Sequence, residues 1–366
     1  MSVESVRVGL AGAGSIAFGT AALLCQNAHQ PMLWSPSGER TRALKGGTAL
    51  SASNAIEGDF HPAVAEDAAQ LAAENDVLML VLPGYGHKAV MDALVPHVQA
   101  HHTIIISSHA SLGALYLAAR LQERDISVPI IAWGTTIVTG RQQSMNSVMV
   151  NTIRAQVDFC AVPSSANQAA LALCQSLFGE RFVQRDGLLA ISLSNLNPQN
   201  HMGIAMGNMS RMERGETWSQ GQNLTPKIGA LLEALDLERL AIAEALGLKV
   251  RTIFEHFHLS FHVPIASISE MNQQMHEQGN GGTGPATADS RYVTEDVPYG
   301  LVVTAALGRL VGKPAVLHEA GVALFSAMYE RDFAAENDLL AALQLENVAL
   351  EQLRDAACSG ILHAAR

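Results

Sequence analysis

The run Val6 to Gly19, VRVGLAGAGSIAFG, constrains this chain more than any other stretch. Val6, Val8 and Leu10 alternate with Arg7 and Gly9 as in a short core strand, and Ala17 to Leu24 continues as an apolar helix. Between them stands Gly12-x-Gly14-x-x-Ala17. Gly12 allows a sharp turn, Gly14 has no side chain to block a pyrophosphate, and Ala17 is small enough for the helix to lie close on a sheet. The free N–H groups of the helix start, around Ser15 and Ile16, suit phosphates, as does the positive end of the helix dipole. A lone glycine turn is weak evidence, but this one follows a strand, opens a helix and is followed by a second strand, Pro31 to Ser35. The expectation is a dinucleotide site.

At 366 residues the chain exceeds the usual size of one domain, so two are expected. A net charge of -11 with only five lysines argues against a nucleic-acid or anionic-membrane surface, which needs a clustered basic face. No apolar run reaches the roughly 18 residues of a membrane span. The four cysteines (Cys25, Cys160, Cys174, Cys358) are far apart, without CxxC pairs, and suggest neither a disulfide scaffold nor a zinc knuckle. The N-terminal residues lead into a strand without the basic start and cleavage site of a signal peptide, so a cytoplasmic protein is expected.

The second strand ends where a dinucleotide fold chooses its cofactor. An NAD enzyme usually places Asp or Glu there for the ribose 2′-hydroxyl, whereas an NADP enzyme removes that charge and brings in Arg. Here the strand ends in Ser35, and Ser37, Arg40 and Arg42 follow, which favours NADP(H) with NAD(H) possible; the plainer alternative is a polar helix start with solvated arginines. Asp76 to Leu82 (DVLMLVL) reads as a strand buried on both faces, and the turn beginning at Pro83 would end it beside the cofactor. Further strands at Thr103–Ile106 and Pro129–Ala132 alternate with helices at His87–Val95 and Leu112–Glu123. Such alternation means a Rossmann-type doubly wound α/β sheet with ligands at the carboxyl ends of its strands. The loops Ser107-Ser108-His109 and Trp133 to Thr136 then become candidates. Gly46 to Phe60 reads as a loop or weak strands, and Val148–Asn151 with Gln156–Val162 as a strand pair.

Long helical periodicities begin near Gly187, which predicts a dinucleotide-binding domain over 1–186 and a mostly helical catalytic domain over 187–366. Leu188–Met209, Pro226–Leu246, Val250–Phe261, Gly300–Val311 and Ala315–Tyr329 are the expected helices. The glycine-rich Gly279–Ala288 has no preceding strand and reads as a mobile connection.

Hydride transfer to a C=O or C=N carbon needs a proton donor near the heteroatom, and histidine suits that role near neutral pH. His256, His258 and His262 invite a metal reading, but only His258 and His262 share a helical face and no Asp or Cys completes a set. His201 ends the polar run Asn195-Leu196-Asn197-Pro198-Gln199-Asn200 inside a core-like segment. A second polar stretch, Ser290 to Gly300, puts charges ahead of an apolar helix. Asp296 there would either orient an imidazole of His201 and favour its protonated form, or serve as a capping aspartate beside a buried histidine.

With these two stretches the chain resembles the opine dehydrogenase family, which includes octopine and nopaline dehydrogenases and carboxyethyl-amino-acid dehydrogenases. The resemblance covers the glycine turn at Gly12–Ala17, the N-x-N-x-x-x-H run ending at His201, the R-Y-x-x-E-D run at Arg291–Asp296 and Val157-Asp158-Phe159. It implies a Rossmann domain, a helical second domain and reductive condensation of an α-keto acid with the amino group of an amino acid or amine. By resemblance His201 is the general acid/base, Asp296 its orienting carboxylate, and Arg291 a contact to the cofactor pyrophosphate; a homodimer is expected on the same ground. The chain departs from the family at Ser107-Ser108-His109, where some members have Asn-Pro-Gly, and at Trp133 or Gly134, where several have glutamate. His109 and Thr135 are candidate substrate contacts on that wall, although for His109 an ordinary loop histidine is the preferred reading. The competing readings are a ketopantoate reductase-like or hydroxy-acid dehydrogenase acting on C=O, which would need a lysine near His201, and a non-catalytic NADP-binding sensor.

Overall fold

Short apolar strands, most of them ended by a glycine, proline or serine turn, give the first unit its main sheet, and more polar strands give it a second. In a computed structural model, which describes residues 5–362, these strands are β1 (Arg7–Ala11), β2 (Gln30–Trp34), β3 (Leu50–Asn54), β4 (Gly58–Phe60), β5 (Ala63–Val64), β6 (Val77–Leu80), β7 (Thr103–Ile106), β8 (Ile130–Trp133), β9 (Val138–Ser144), β10 (Ser147–Ile153), β11 (Val157–Val162) and β12 (Phe182–Gln184). The main sheet has the order β12-β11-β8-β7-β6-β1-β2-β5. It is parallel except where β11 meets β8. From β1 the chain moves through β2 to β5 on one side and then through β6, β7 and β8 on the other, so the order reverses between β1 and β6. In such sheets that switch point is where ligands bind, at the carboxyl ends of the strands.

The helices of this unit are α1 (Ser15–Gln26), α2 (Arg42–Lys45), α3 (Ala68–Ala73), α4 (His87–Leu94), α5 (Gly113–Gln122) and α6 (Asn167–Phe178), with α7 (Gly187–Ser194) at its end. Ala17, Phe18, Ala21, Ala22 and Leu24 of α1 are wholly buried. Burial of a side chain the size of Phe18 stabilises by about 1.5–3 kcal/mol. A second sheet, β4-β3-β10-β9, lies against α1, where Gly19 admits Val138 and Val150. Gly46 to Phe60, expected as a loop or weak strands, thus contributes β3 and β4, and the two strands near 150 and 160 belong to different sheets rather than pairing with each other.

The second unit covers residues 193–350, while residues 5–192 and 351–362 belong to the first. Its helices are α8 (Asn197–Glu213), α9 (Pro226–Ala245), α10 (Ile253–Phe261), α11 (Ile268–Glu277), α12 (Arg291–Thr294), α13 (Val302–Leu310), α14 (Val316–Tyr329) and α15 (Asp338–Leu343). The single helix expected over Leu188–Met209 is two, α7 and α8, because Pro198 favours the first turn of a new helix and disfavours continuation of an old one. The last helix, α16 (Leu350–Ser359), returns to the first unit, where Ala357 and Cys358 pack against Gly187 and Gly360 against Val162; the 187–366 division did not foresee this. No described helix is long and apolar enough to cross a membrane.

Candidate active site

In the first unit the glycine turn is pinned from both sides. Gly12 N–H donates to the Trp34 carbonyl (2.8 Å) and Val81 N–H to the Ala11 carbonyl (2.8 Å), joining the ends of β1, β2 and β6. Gly12 has φ +146°, and a Cβ there would stand 2.1 Å from the Val81 carbonyl oxygen, so no other residue fits. Gly14 is the extended cap of α1 and offers no side chain to its N–H groups, and the first turn, with Ser15 and Ile16, holds no acidic residue. That leaves donors and the positive dipole end to receive an anion.

The cofactor-selecting segment lies on the same turn. Ser35 is half-buried and Ser37 exposed. Arg42 is engaged by Glu39, whereas Arg40 forms no ion pair among the described residues and its Nη1 lies 3.8 Å from where a Cβ of Gly14 would be. A guanidinium therefore stands over the phosphate turn. These residues fit a dinucleotide phosphate: free backbone donors, a small-residue cradle and one uncommitted cation.

Pro83 is exposed after β6. His109, after β7, is only 4 % exposed; its N–H donates to the Trp133 carbonyl (2.8 Å), but neither ring nitrogen has a hydrogen-bond partner. Burial, reinforced by the neighbouring His87, lowers its pKa to about 3, so the ring is neutral at physiological pH. His87 is also buried and lowered to about 4, with Nε2–H donating to the Leu82 carbonyl (3.0 Å). Thr135 is half-buried just beyond β8. Pro83, His109 and Thr135 therefore share the carboxyl edge of the sheet with the glycine turn.

In the second unit the polar runs around His201 and Asp296 meet. Pro198, in the first turn of α8, packs on Gly300, where a Cβ would come within 2.2 Å of the proline ring. Gly300 belongs to a wide π-type turn, Val297–Leu301, that directly follows Asp296. One helical turn beyond Pro198, His201 Nδ1–H donates to Asp296 Oδ2 at 2.7 Å, with each side chain 12 % exposed. An acceptor-only carboxylate on Nδ1 fixes the tautomer and leaves Nε2 to exchange protons with a substrate. Tyr292 lies flat on the imidazole, with centroids 3.6 Å apart and 8° between planes, and its hydroxyl donates to Gln220 Oε1 (2.9 Å). Arg291 is exposed and forms no ion pair among the described residues.

Two supports of this site escape sequence reading. Tyr292 is one, although it stands inside the R-Y-x-x-E-D run. The other is a buried network: Asp236 Oδ1 accepts from Gln199 Nε2 (3.2 Å) and from Arg239 Nε (2.9 Å), Asp236 Oδ2 accepts the Ile253 N–H (2.9 Å), and Arg239 also donates to the Leu193 and Arg251 carbonyls (2.5 Å each). It holds the first turn of α8, two residues before His201. In sequence, Asp236 and Arg239 look like any solvated i,i+3 pair. Of the histidines considered for metal, His258 Nδ1 is bonded to the Val263 carbonyl (2.8 Å). Among the described residues no group of three or more His, Cys, Asp or Glu is placed to hold an ion.

Residues 184–329 match the family model described as NAD/NADP octopine/nopaline dehydrogenase, alpha-helical domain. An opine dehydrogenase of Arthrobacter sp. (strain 1C) is 29 % identical over 364 residues, covering 97 % of this chain and 99 % of that protein. Octopine dehydrogenase solved with NADH and agmatine superposes with a TM-score of 0.81 at 16 % identity, over 99 % of this chain and 100 % of that one. Yersinopine dehydrogenase with NADP+ bound gives 0.73 at 12 % identity, over 93 % and 99 %. Residues 184–329, which include His201 and Asp296, thus match the helical domain of the octopine/nopaline dehydrogenases, and the whole chain is similar in sequence to an opine dehydrogenase and in fold to octopine dehydrogenase.

Proposed function

We propose that this chain reductively condenses an α-keto acid with the amino group of an amino acid or amine, with NADP(H) preferred, through His201 as general acid/base and Asp296 as its orienting carboxylate. The observation that carries the reading is the 2.7 Å contact between His201 Nδ1 and Asp296 Oδ2. With Nδ1–H held by the carboxylate, Nε2 is the atom that gives a proton to the carbinolamine oxygen, which leaves as water as the C=N bond forms. Asp296 stabilises the imidazolium needed for that transfer, and the flat Tyr292 ring keeps the imidazole in plane. The reduced nicotinamide supplies the hydride that converts the imine carbon to the secondary amine. Gly12, Gly14, Ser15 and Ile16 would hold its pyrophosphate, with Pro83 beside it and Arg291 as a further contact to it.

Preference for NADP(H) is supported by Ser35 in place of an acid at the end of β2 and by the uncommitted Arg40, with Ser37 a further donor to a 2′-phosphate. His109 and Thr135 are the proposed substrate-side contacts. The rival C=O reductases typically carry a lysine for this role, and of Lys45, Lys88, Lys227, Lys249 and Lys313 only Lys227 is remotely placed for it, exposed in the first turn of α9. The protein is further proposed to be cytoplasmic and homodimeric.

The test is an oxidation assay with NADPH and NADH, crossing pyruvate and other keto acids with a panel of amino acids and simple amines. The expected result is NADPH consumption that needs both partners. Equal consumption with the keto acid alone would overturn the reading in favour of a carbonyl reductase. Cofactor binding without turnover across the panel would favour a sensor.

A further inference from the structure

We infer that a cavity in the helical unit, between the segment after α8 and the glycine-rich loop after α11, is a binding site for a small monocarboxylate and is coupled to His201. The coupling, unlike the chemistry of the cavity, rests on the function proposed above. The glycine-rich segment from Gly279, expected as a mobile connection, is pinned. Gln220 N–H donates to the Gly282 carbonyl (3.1 Å), Gly221 N–H to the Gly281 carbonyl (2.8 Å) and Gly284 N–H to the Trp218 carbonyl (3.0 Å). Thr217, Trp218, Ser219, His276 and Thr283, with the loop glycines, line a cavity of about 410 Å³ beside these bonds. Small-molecule sites run from roughly 300 to 1,000 Å³. Gly281 keeps the space open, because a Cβ there would stand 2.8 Å from His276 Cα and 3.2 Å from Ser219 Oγ.

In this lining the acceptors are used and the donors are free. The carbonyls of Trp218, Ser219, His276, Gly281 and Gly282 already accept N–H groups. The N–H groups of Gly281, Gly282 and Thr283 donate to nothing among the described residues, and neither do the hydroxyls of Thr217 and Thr283. Successive free N–H groups, with Gly282 at φ +66°, make the kind of backbone concavity that holds anions. Ser219 Oγ accepts the Gln222 N–H (3.3 Å) and has its own hydrogen to give, which it donates to His276 Nδ1 (2.9 Å). The imidazole proton is then on Nε2, which has no partner among the described residues. A ligand that only accepts hydrogen bonds fits this wall, as a carboxylate does. No aspartate or glutamate lines the cavity to repel it, and no lysine or arginine lines it to balance a phosphate dianion. Trp218, whose indole N–H is spent on the Pro285 carbonyl (3.0 Å), offers the carbon body of the ligand an apolar surface.

Ser219 bridges to Thr283 and precedes Gln220, whose Oε1 accepts the Tyr292 hydroxyl (2.9 Å). That tyrosine is the ring that lies flat on His201. A carboxylate held by Ser219, His276 and the Gly281–Thr283 backbone therefore clamps both sides of the bridge that carries Gln220. Once the ligand has ordered this bridge, holding Tyr292 on the imidazole costs less conformational entropy. The consequence is a higher kcat from a ligand that takes no part in the chemistry.

Propionate is the probe, because it has neither a keto nor an amino group and cannot be condensed. Tryptophan fluorescence of the full chain should change saturably with millimolar propionate, through a component that Trp218→Phe removes and that sodium chloride at equal ionic strength does not produce. His276→Leu and Thr283→Val, each with an unchanged far-ultraviolet circular dichroism spectrum, should weaken this binding by about tenfold, the loss of one hydrogen bond to a charged group. Inorganic phosphate should bind more weakly than propionate. In the condensation assay at saturating substrates, propionate should raise kcat about twofold in the native protein. It should not do so in Gln220→Ala, which should still bind it. Absence of the Trp218 component, native affinity in either cavity variant, or phosphate binding as tight as that of propionate overturns the site. Binding without a rise in kcat, or the same rise in Gln220→Ala, overturns the coupling alone. The fluorescence measurement needs no turnover, so a chain that condenses no substrate pair refutes the proposed reaction and the coupling with it, while the site stands or falls on binding.

Discussion

His109 and His87 make stability depend on pH in a way that can be measured. Both imidazoles are buried, and their folded-state pKa values are lowered to about 3 and about 4 from the ordinary 6.5. The folded protein therefore binds fewer protons than the unfolded chain below pH 6.5, and stability falls as pH drops. The contribution is fully present above 6.5, declines by about 1.4 kcal/mol per pH unit per histidine below it, and levels off only beneath the folded values. At pH 5 each histidine should have cost about 2 kcal/mol relative to pH 7.5. His109→Leu removes one of the two, together with its two unpartnered ring nitrogens. Urea unfolding at pH 7.5 and pH 5.0 is the assay, in a Trp218→Phe background so that Trp34 and Trp133 both report from the first unit. The native protein should lose about 2 kcal/mol more than the variant between the two pH values, all other titrations cancelling in the comparison. A difference below about 0.5 kcal/mol would show that His109 is not held neutral in the core.

Asp296→Asn keeps the shape of the pair but removes its charge; kcat for the condensation should fall by about 10²-fold with KM for NADPH nearly unchanged, and a loss under about threefold would remove Asp296 from the mechanism. Tyr292→Phe retains the ring on His201 and should keep kcat within about threefold, while Tyr292→Ala should lower it about tenfold; equal effects would mean that the stacking does not position the imidazole. Arg40→Ala should raise KM for NADPH about 10- to 100-fold, the equivalent of one charge-assisted hydrogen bond, and leave KM for NADH within about twofold. Parallel losses with both cofactors would place Arg40 on the pyrophosphate instead of the 2′-phosphate.

Much of the first unit was legible because its determinants are local. Strand β1, the glycine turn and α1 lie within twenty residues, and each apolar run ends at a turn residue that stops it. The second sheet was harder to read, since β9 (VTGRQQS) lacks the apolar alternation of a core strand and finds its place only by pairing with β10. Within the helical unit, Pro198 already marked the break between α7 and α8, yet the continuous apolar pattern outweighed it. The return of α16 was not legible, because an amphipathic helix states that it has a partner but not which one.

The sequence by itself determined the Rossmann-type half, the glycine cradle, and which residue types could move a proton, since turn geometry and strand burial depend on near neighbours. His201 and Asp296 stand 95 positions apart. Nothing in their spacing brings them together; that required Pro198 on Gly300, the buried Asp236–Arg239 network under α8, and the Tyr292 ring laid on the imidazole. The reason is the same in each case: a hydrogen bond or stack between distant residues is chosen by packing of the elements that carry them, and packing is a property of the whole chain.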